Sequence, residues 1–246
     1  MQYVEYGREN NKIVILLHGG GLSWWNYVEA AKELCMEYRV ILPILDGHAG
    51  SDRDFTTIEE NARQIIAFVD RHCNGSVFLL GGVSLGAQIV LEILSERQNI
   101  CRYAWIESAR TVPSKLTAAM IRPAFGSCYP LIRQKWFSKL QFRYLRIREP
   151  LFEDYFRDTC AITKENMIAF LEANSLYTLK DAVAETCAKV HIFVGSREER
   201  VMHTSARMIH QKLTDSCIHV LPKLYHGEYS INCGKAFAEQ IRELTE

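Results

Sequence analysis

Short apolar runs alternate along the chain with longer stretches in which apolar residues recur every three or four positions. Runs of four to eight residues are typical of buried strands, and they lie at 13–17, 39–45, 77–80, 103–106, 189–194 and 217–224. The longer spacing predicts helices at 25–38, 57–72, 85–97, 203–214 and 237–244. Strands that alternate with helices predict an α/β fold, with a mostly parallel central sheet and helices on both faces.

The alternation stops between residues 109 and 180. This segment has several prolines and aromatic residues, and amphipathic stretches without a clear strand. We therefore predict a helical cap or lid insertion at 109–180, within a core made of residues 1–108 and 181–246.

A glycine-flanked serine stands where the third apolar run meets a helical pattern. The pentapeptide Gly82-Val83-Ser84-Leu85-Gly86 has the form G-x-S-x-G, and it predicts a strand, a sharp turn and a helix with the serine at the apex. Only glycine-sized residues fit two positions before and after such a serine, because the turn packs tightly on its neighbours. The arrangement holds the hydroxyl clear of the sheet, beside the next amide and a helix N-terminus.

Two other loops follow predicted strands, namely His18-Gly19-Gly20-Gly21 and the glycine-punctuated residues 46–51, Asp-Gly-His-Ala-Gly-Ser. With the pentapeptide, they make the chain resemble the α/β-hydrolase fold superfamily, and single-domain esterases in particular, along essentially its whole length. The resemblance implies an α/β-hydrolase fold, with a helical cap placed after the strand that follows the serine's helix.

The resemblance also implies a catalytic triad in the chain order serine, acid, histidine. Ser84 is the expected nucleophile. The histidine is expected in the loop after the last strand, where His226 is the one histidine. The acid is expected after the strand at 190–194, where the family commonly has aspartate; here Glu198 holds the position. Glu107, at the end of an earlier strand, and Glu199 are the alternatives, because triads are defined by geometry.

An oxyanion hole needs two backbone N–H groups that point at the developing negative charge. By the family pattern these belong to Leu85, which follows the nucleophile, and to Gly20, with Gly21 as the alternative. A run of glycines lets the backbone approach a substrate carbonyl closely, although a plain tight turn would use the same residues.

The composition of the chain limits the classes of function that we expect for it. The 246 residues carry 29 basic and 29 acidic side chains, so the formal net charge of zero gives no global footprint for nucleic acid. The first residues have neither the basic nor the apolar region of a signal peptide, and no apolar run is long enough for a membrane span. The eight cysteines are scattered without a C-x-x-C pair, so we expect reduced thiols in a cytoplasmic protein without a metal site.

One stretch has an uneven charge distribution. Between residues 108 and 148 there are nine Lys or Arg residues and no Asp or Glu. Such a run is commonly a solvated helix surface that acidic residues elsewhere balance. The alternative is a cap that attracts an anionic substrate or an acidic partner.

These observations predict a carboxylesterase-like serine hydrolase that cleaves an ester or related acyl bond of a small substrate without a cofactor or metal. A thioesterase, a peptidase or a carbon–carbon bond hydrolase on the same site remains an alternative, since fold alone does not choose among them. From another class, the chain could be a weakly catalytic ligand receptor on a hydrolase scaffold. The sequence leaves the oligomeric state and the acyl specificity open.

Overall fold

A computed structural model describes residues 1–245 of the chain. Within that range a single seven-stranded sheet has the strand order β1-β3-β2-β4-β5-β6-β7. All neighbouring strands are parallel except β1, which pairs antiparallel with β3. The strands are β1 Tyr3–Tyr6, β2 Ile13–Leu17, β3 Arg39–Pro43, β4 Val77–Val83, β5 Cys101–Glu107, β6 Lys189–Gly195 and β7 Ser216–Leu221. The predicted α/β class with a mostly parallel sheet is confirmed.

Helices cover both faces of this sheet, and each face has its own apolar core. On one face, α1 (Val28–Leu34) and α10 (Gly234–Thr245) pack on the strands. On the other face lie α2 (Ile58–His72), α3 (Leu85–Glu96) and α8 (Arg200–Lys212). The two cores explain why most central strands are apolar at successive positions, since both sides of each strand are buried.

The chain between β5 and β6 forms a series of helices. They are α4 (Lys115–Cys128), α5 (Lys135–Tyr144), α6 (Phe152–Ala161) and α7 (Lys164–Leu176), with 3-10 turns at Tyr129–Arg133, Glu149–Leu151 and Asp181–Glu185. No strand lies in this part of residues 1–245. Its treatment as a separate cap domain remains a prediction.

Three local predictions needed correction. The edge strand β1 was missed, because its four residues are partly exposed and give little apolar signal. The helix predicted at 25–38 is a 3-10 turn at Trp24–Tyr27 followed by the shorter α1. The last strand ends at Leu221 rather than 224, because Pro222 has no N–H with which to continue the ladder.

The carboxyl ends of β2, β4, β5, β6 and β7 lie along one edge of the sheet, as parallel pairing requires. A ligand site in a parallel sheet is expected at this edge. A short helix, α9 (Glu228–Asn232), follows the loop after β7. Among residues 1–245, no helix has both the length and the apolar character that crossing a bilayer requires.

Candidate active site

Ser84 lies at the sharp turn between β4 and α3. Its backbone has φ +53° and ψ −114°, a region that non-glycine residues rarely occupy. A Cβ at Gly82 would overlap the backbone of Gly86, and a Cβ at Gly86 would overlap the carbonyl groups of β2 and the next residue. The Ser84 amide donates a hydrogen bond to the carbonyl of Glu107 at 2.9 Å. Close packing therefore requires both glycines and holds the strained serine in place.

The structure brings the three expected triad residues together in one hydrogen-bonded row. Nε2 of His226 lies 3.0 Å from Oγ of Ser84, and Nδ1 of His226 lies 2.9 Å from Oε2 of Glu198. A carboxylate oxygen accepts hydrogen bonds, so the imidazole hydrogen is on Nδ1 and Nε2 is left as an acceptor. In this tautomer His226 can receive the Ser84 hydroxyl proton.

The carboxylate of Glu198 is held by donors on both sides. Oε1 accepts hydrogen bonds from the Gly195 amide at 2.6 Å and from the Ser108 hydroxyl at 2.9 Å, while Oε2 faces His226. The Glu198 side chain is fully buried, and that of His226 is half exposed. Fixed donors of this kind hold the carboxylate in position beside the imidazole.

Ser108 links the acid to the histidine loop, and no sequence motif singles it out. Its Oγ accepts a hydrogen bond from the Gly227 amide at 3.1 Å and donates to Glu198. Ser108 also has a positive φ of 54° and is buried. The one signal in the sequence is its position, since it directly follows Glu107 at the end of β5.

The two alternative acids occupy different surroundings. Glu107 is buried, and its Oε1 accepts a hydrogen bond from the Ser230 amide at 3.2 Å. Burial, with a smaller contribution from the nearby Glu198 carboxylate, raises the pKa of Glu107 to about 7. Glu199 is exposed at the start of α8. Neither carboxylate is hydrogen-bonded to His226.

The two residues that carry the predicted oxyanion donors, Gly20 and Leu85, are close neighbours in the structure. A Cβ built on Gly20 would stand 3.7 Å from Cβ of Leu85. Leu85 is the first residue of α3, so its N–H has no acceptor within the helix. The Gly20 amide has no hydrogen-bond partner among residues 1–245. In contrast, the Gly21 amide already donates to Nε2 of His48 at 3.0 Å, which makes it the less available donor.

Two buried imidazoles fix the glycine loop. Nε2 of His18 accepts a hydrogen bond from the Leu45 amide at 3.1 Å, and Nε2 of His48 accepts one from Gly21. Each Nδ1 faces a carbonyl oxygen and so carries the hydrogen. Burial lowers the pKa of His48 to about 4 and that of His18 well below its usual value. Both rings are therefore neutral at pH 7 and serve as acceptors.

The basic stretch is partly balanced by carboxylates from elsewhere in the chain. Four of its nine cations form ion pairs, namely Arg122–Glu172, Lys135–Glu153, Lys139–Glu149 and Arg148–Glu29. Arg146 instead stacks on the ring of Tyr225, the residue before His226, with 3.6 Å from Cζ to the ring centroid. The preference for an anionic substrate remains a prediction.

Within the described part of the chain, no group of three or more His, Cys, Asp or Glu side chains is arranged to hold a metal ion. All eight cysteines are free thiols. The side chains that meet at the edge of the sheet are a hydroxyl, an imidazole and a carboxylate, with backbone amides nearby. This is the donor set of acyl-transfer chemistry.

Comparison with known proteins agrees with this fold. The chain belongs to the alpha/beta hydrolase family, whose model matches residues 14–239. An esterase from Thermogutta terrifontis, solved with malate bound, has a TM-score of 0.79 at 16% identity and covers 100% of this chain and 94% of its own. The enol-lactonase from Burkholderia xenovorans LB400 has a TM-score of 0.81 at 16% identity, covering 100% and 96%.

A lipase-esterase related protein from Clostridium acetobutylicum has a TM-score of 0.76 at 21% identity and covers 98% of both chains. At these identities the structural likeness shows the fold alone. No curated protein sequence matches the chain. The family match supports a hydrolase, and membership of the fold does not determine which reaction it catalyses.

Proposed function

We propose that the protein is a serine hydrolase that cleaves an ester or related acyl bond of a small substrate. The row Ser84–His226–Glu198 is the single observation that carries this proposal, with separations of 3.0 Å and 2.9 Å between successive groups. Both separations lie within the range that proton transfer and orientation of the imidazole require.

In the proposed reaction Ser84 attacks the substrate carbonyl while His226 takes the hydroxyl proton. Glu198 orients the imidazole and stabilises the cation that forms. The amides of Gly20 and Leu85 hold the negative oxygen of the tetrahedral intermediate. When the intermediate collapses, His226 returns the proton to the leaving alcohol and an acyl-Ser84 ester remains.

Water then attacks the acyl-Ser84 carbonyl, with His226 again taking a proton. The second tetrahedral intermediate expels Ser84, which recovers its proton, and the carboxylic acid leaves. Every proton in this cycle passes through His226. The nucleophile, the base and the oxyanion donors all belong to this chain, and water is the only other reactant besides the substrate. Thioester, peptide or carbon–carbon substrates would use the same groups, and ester cleavage is the simplest reaction that tests them.

Hydrolysis of a short-chain nitrophenyl ester tests the proposal. We expect turnover by the wild type and a loss of at least about 10³-fold in Ser84→Ala, because the acyl-enzyme can no longer form. Ser95→Ala is the matched control, since its hydroxyl bonds only the Leu91 carbonyl on α3. Equal turnover by wild type and Ser84→Ala would contradict the serine mechanism. A folded wild type that hydrolyses no ester would favour the receptor alternative.

A further inference from the structure

The exposed apolar side chains of this protein are concentrated in one part of it. Twelve large hydrophobic residues among residues 1–245 are exposed, and seven of them lie between residues 116 and 145. These seven are Leu116, Met120, Leu131, Trp136, Leu140, Tyr144 and Leu145. A surface on which exposed apolar side chains are concentrated is commonly a site that binds a protein, a membrane or a ligand.

The clearest arrangement is on α5. Trp136, Leu140 and Tyr144 are 64%, 60% and 85% exposed and follow one another at four-residue spacing. Residues four apart share one side of a helix, so the three form a single outward row, which we call the α5 stripe. Its span from first to last residue is about 12 Å at 1.5 Å per residue.

The opposite side of α5 is fixed to the protein. Ser138 and Phe142 are its fully buried residues, and Phe142 belongs to the core cluster that includes Leu22 and Trp25. Positions 138 and 142 point about 180° away from position 140 on a helical wheel, at 100° per residue. The core-facing side of α5 is therefore already buried, and the α5 stripe is a second, separate apolar side that faces outward.

Along the chain, the stretch that contains the stripe carries charges of one sign, while Glu149 and Glu153 from the following segment pair with Lys139 and Lys135 on α5. Residues 108–148 hold nine Lys or Arg and no acidic residue. On α5 itself, Lys139 and Arg143 lie beside the stripe. Arg143 has no carboxylate partner among residues 1–245, and Lys139 is in an exposed pair with Glu149. Exposed pairs of that kind contribute little and exchange readily for another anion.

Trp, Tyr and Leu on the outward side, with Lys and Arg beside them, suit the surface of an anionic bilayer. Aromatic rings are stable at the depth of the lipid headgroups, and long basic side chains reach the phosphates while their stems stay in apolar surroundings. Anionic lipids also attract such cations electrostatically. The ten residues of α5 reach about 15 Å, half of the hydrocarbon thickness, which suits a helix that lies in the interface plane.

We propose that the α5 stripe is a docking surface for anionic lipid bilayers, with Trp136, Leu140 and Tyr144 inserted among the headgroups and Lys139 and Arg143 on the lipid phosphates. The proposal does not depend on the hydrolase reaction. Because Phe142 on the buried face of α5 belongs to the same apolar cluster as Leu22, which follows the glycine loop, docking would bring this part of the protein near the membrane.

Co-sedimentation with vesicles tests the proposal. We expect the wild type to bind vesicles of phosphatidylglycerol and phosphatidylcholine, and to bind pure phosphatidylcholine much more weakly. The triple variant Trp136→Ser, Leu140→Ser, Tyr144→Ser should bind the anionic vesicles at least about tenfold more weakly. The matched control replaces two equally exposed apolar residues elsewhere, Met36→Ser and Val220→Ser, which are 82% and 56% exposed, and should bind as the wild type does.

A second measurement locates the contact. Trp136 fluorescence should shift to the blue on anionic vesicles, and the shift should vanish in Trp136→Phe. Lys139→Gln with Arg143→Gln should reduce the preference for anionic over neutral vesicles. All substituted side chains are partly or fully exposed, so the melting temperature should stay close to that of the wild type.

Other occupants of the stripe would give different results. A second copy of this chain would appear as a concentration-dependent dimer that the triple variant abolishes, without vesicle binding, and would overturn the proposal. Equal vesicle binding by wild type and triple variant would also overturn it, as would binding that is the same on neutral and anionic vesicles. No vesicle binding by a folded monomer would leave an acidic protein partner as the occupant and would reject the membrane.

Discussion

The hydroxyl of Ser108 donates a hydrogen bond to Oε1 of Glu198 at 2.9 Å and accepts one from the Gly227 amide at 3.1 Å. A backbone amide can only donate and a carboxylate oxygen accepts, so the directions of both bonds are fixed. One side chain at the end of β5 thus joins the loop that carries the acid to the loop that carries the histidine. The Ser108 hydroxyl makes no hydrogen bond to the side chain of Ser84 or His226, and we regard it as a positioning residue.

We predict that Ser108→Ala lowers kcat by about 10–100-fold, the cost of losing a hydrogen bond to a charged group of about 1.5–3 kcal/mol. KM should change little, because the buried Ser108 hydroxyl acts on the acid and the histidine loop. Steady-state kinetics on a nitrophenyl ester measure both quantities. Ser95→Ala serves again as control, and an equal fall in both serine variants would argue against a specific role for Ser108.

Glu198 should be the acid that orients His226. Glu198→Gln keeps the size of the side chain but removes the charge that stabilises the imidazolium, so we expect kcat to fall by about 10³–10⁴-fold. Glu198→Asp withdraws the carboxylate by about one bond length, and we expect a loss of about 10²-fold. Glu199→Gln is the matched control, since Glu199 is exposed one residue further on. A larger fall of kcat in Glu199→Gln than in Glu198→Gln would show that Glu199 is the acid that orients His226.

Glu107 should make the folded state less stable as the pH rises. Its folded pKa of about 7 lies above the ordinary value of 4.5, because burial disfavours the charged form. The folded state therefore holds the proton more tightly than the unfolded state does. The contribution of Glu107 to the free energy of unfolding is complete below about pH 4.5 and is lost as the pH rises through 7. Relative to Glu107→Gln, which stays neutral, the wild type should lose about 2–3 kcal/mol of unfolding free energy between pH 5 and pH 8.

Urea unfolding of both proteins at the two pH values measures this difference. The comparison also separates two roles of Glu107. If it is structural, Glu107→Gln should retain most of the esterase activity at pH 7. A loss as large as that of Glu198→Gln would instead support Glu107 as the triad acid.

His48 should have the opposite pH dependence. Its folded pKa of about 4 lies below the ordinary 6.5, because burial disfavours the cation. The contribution of neutral His48 to the free energy of unfolding is complete above about pH 6.5 and is lost as the pH falls toward 4. The advantage of the wild type over His48→Gln should therefore shrink by about 2 kcal/mol between pH 7 and pH 5. Urea unfolding checks this, and an advantage that is constant with pH would show that His48 is not held neutral.

Much of the site could be predicted because its requirements are local or topological. The turn at Ser84 depends on two glycines within five residues, and steric overlap at Gly82 and Gly86 explains their spacing. His226 and Glu198 follow successive strand ends, so a parallel sheet brings their loops together. The order of strands and loops along the chain, within a known fold, is therefore enough to predict that His226 and Glu198 lie near Ser84.

Other features depend on contacts that the local sequence does not encode. Ser108 is one of many serines, and its importance comes from two partners 90 and 119 residues away in the chain. The carboxylates that balance the basic stretch likewise come from outside it, as Glu29 and Glu172 do. Strand β1 was missed because a short, half-exposed edge strand has little apolar periodicity.

Covalent labelling with a fluorophosphonate probe tests the central claim most directly, because the probe reacts with a serine only when a base and an oxyanion site activate it. We predict one label per folded wild-type chain, located at Ser84 by peptide mapping, with none in Ser84→Ala and greatly slowed labelling in His226→Ala. Labelling that persists in Ser84→Ala, or a folded wild type that stays unlabelled while a known serine hydrolase reacts in parallel, would contradict the account.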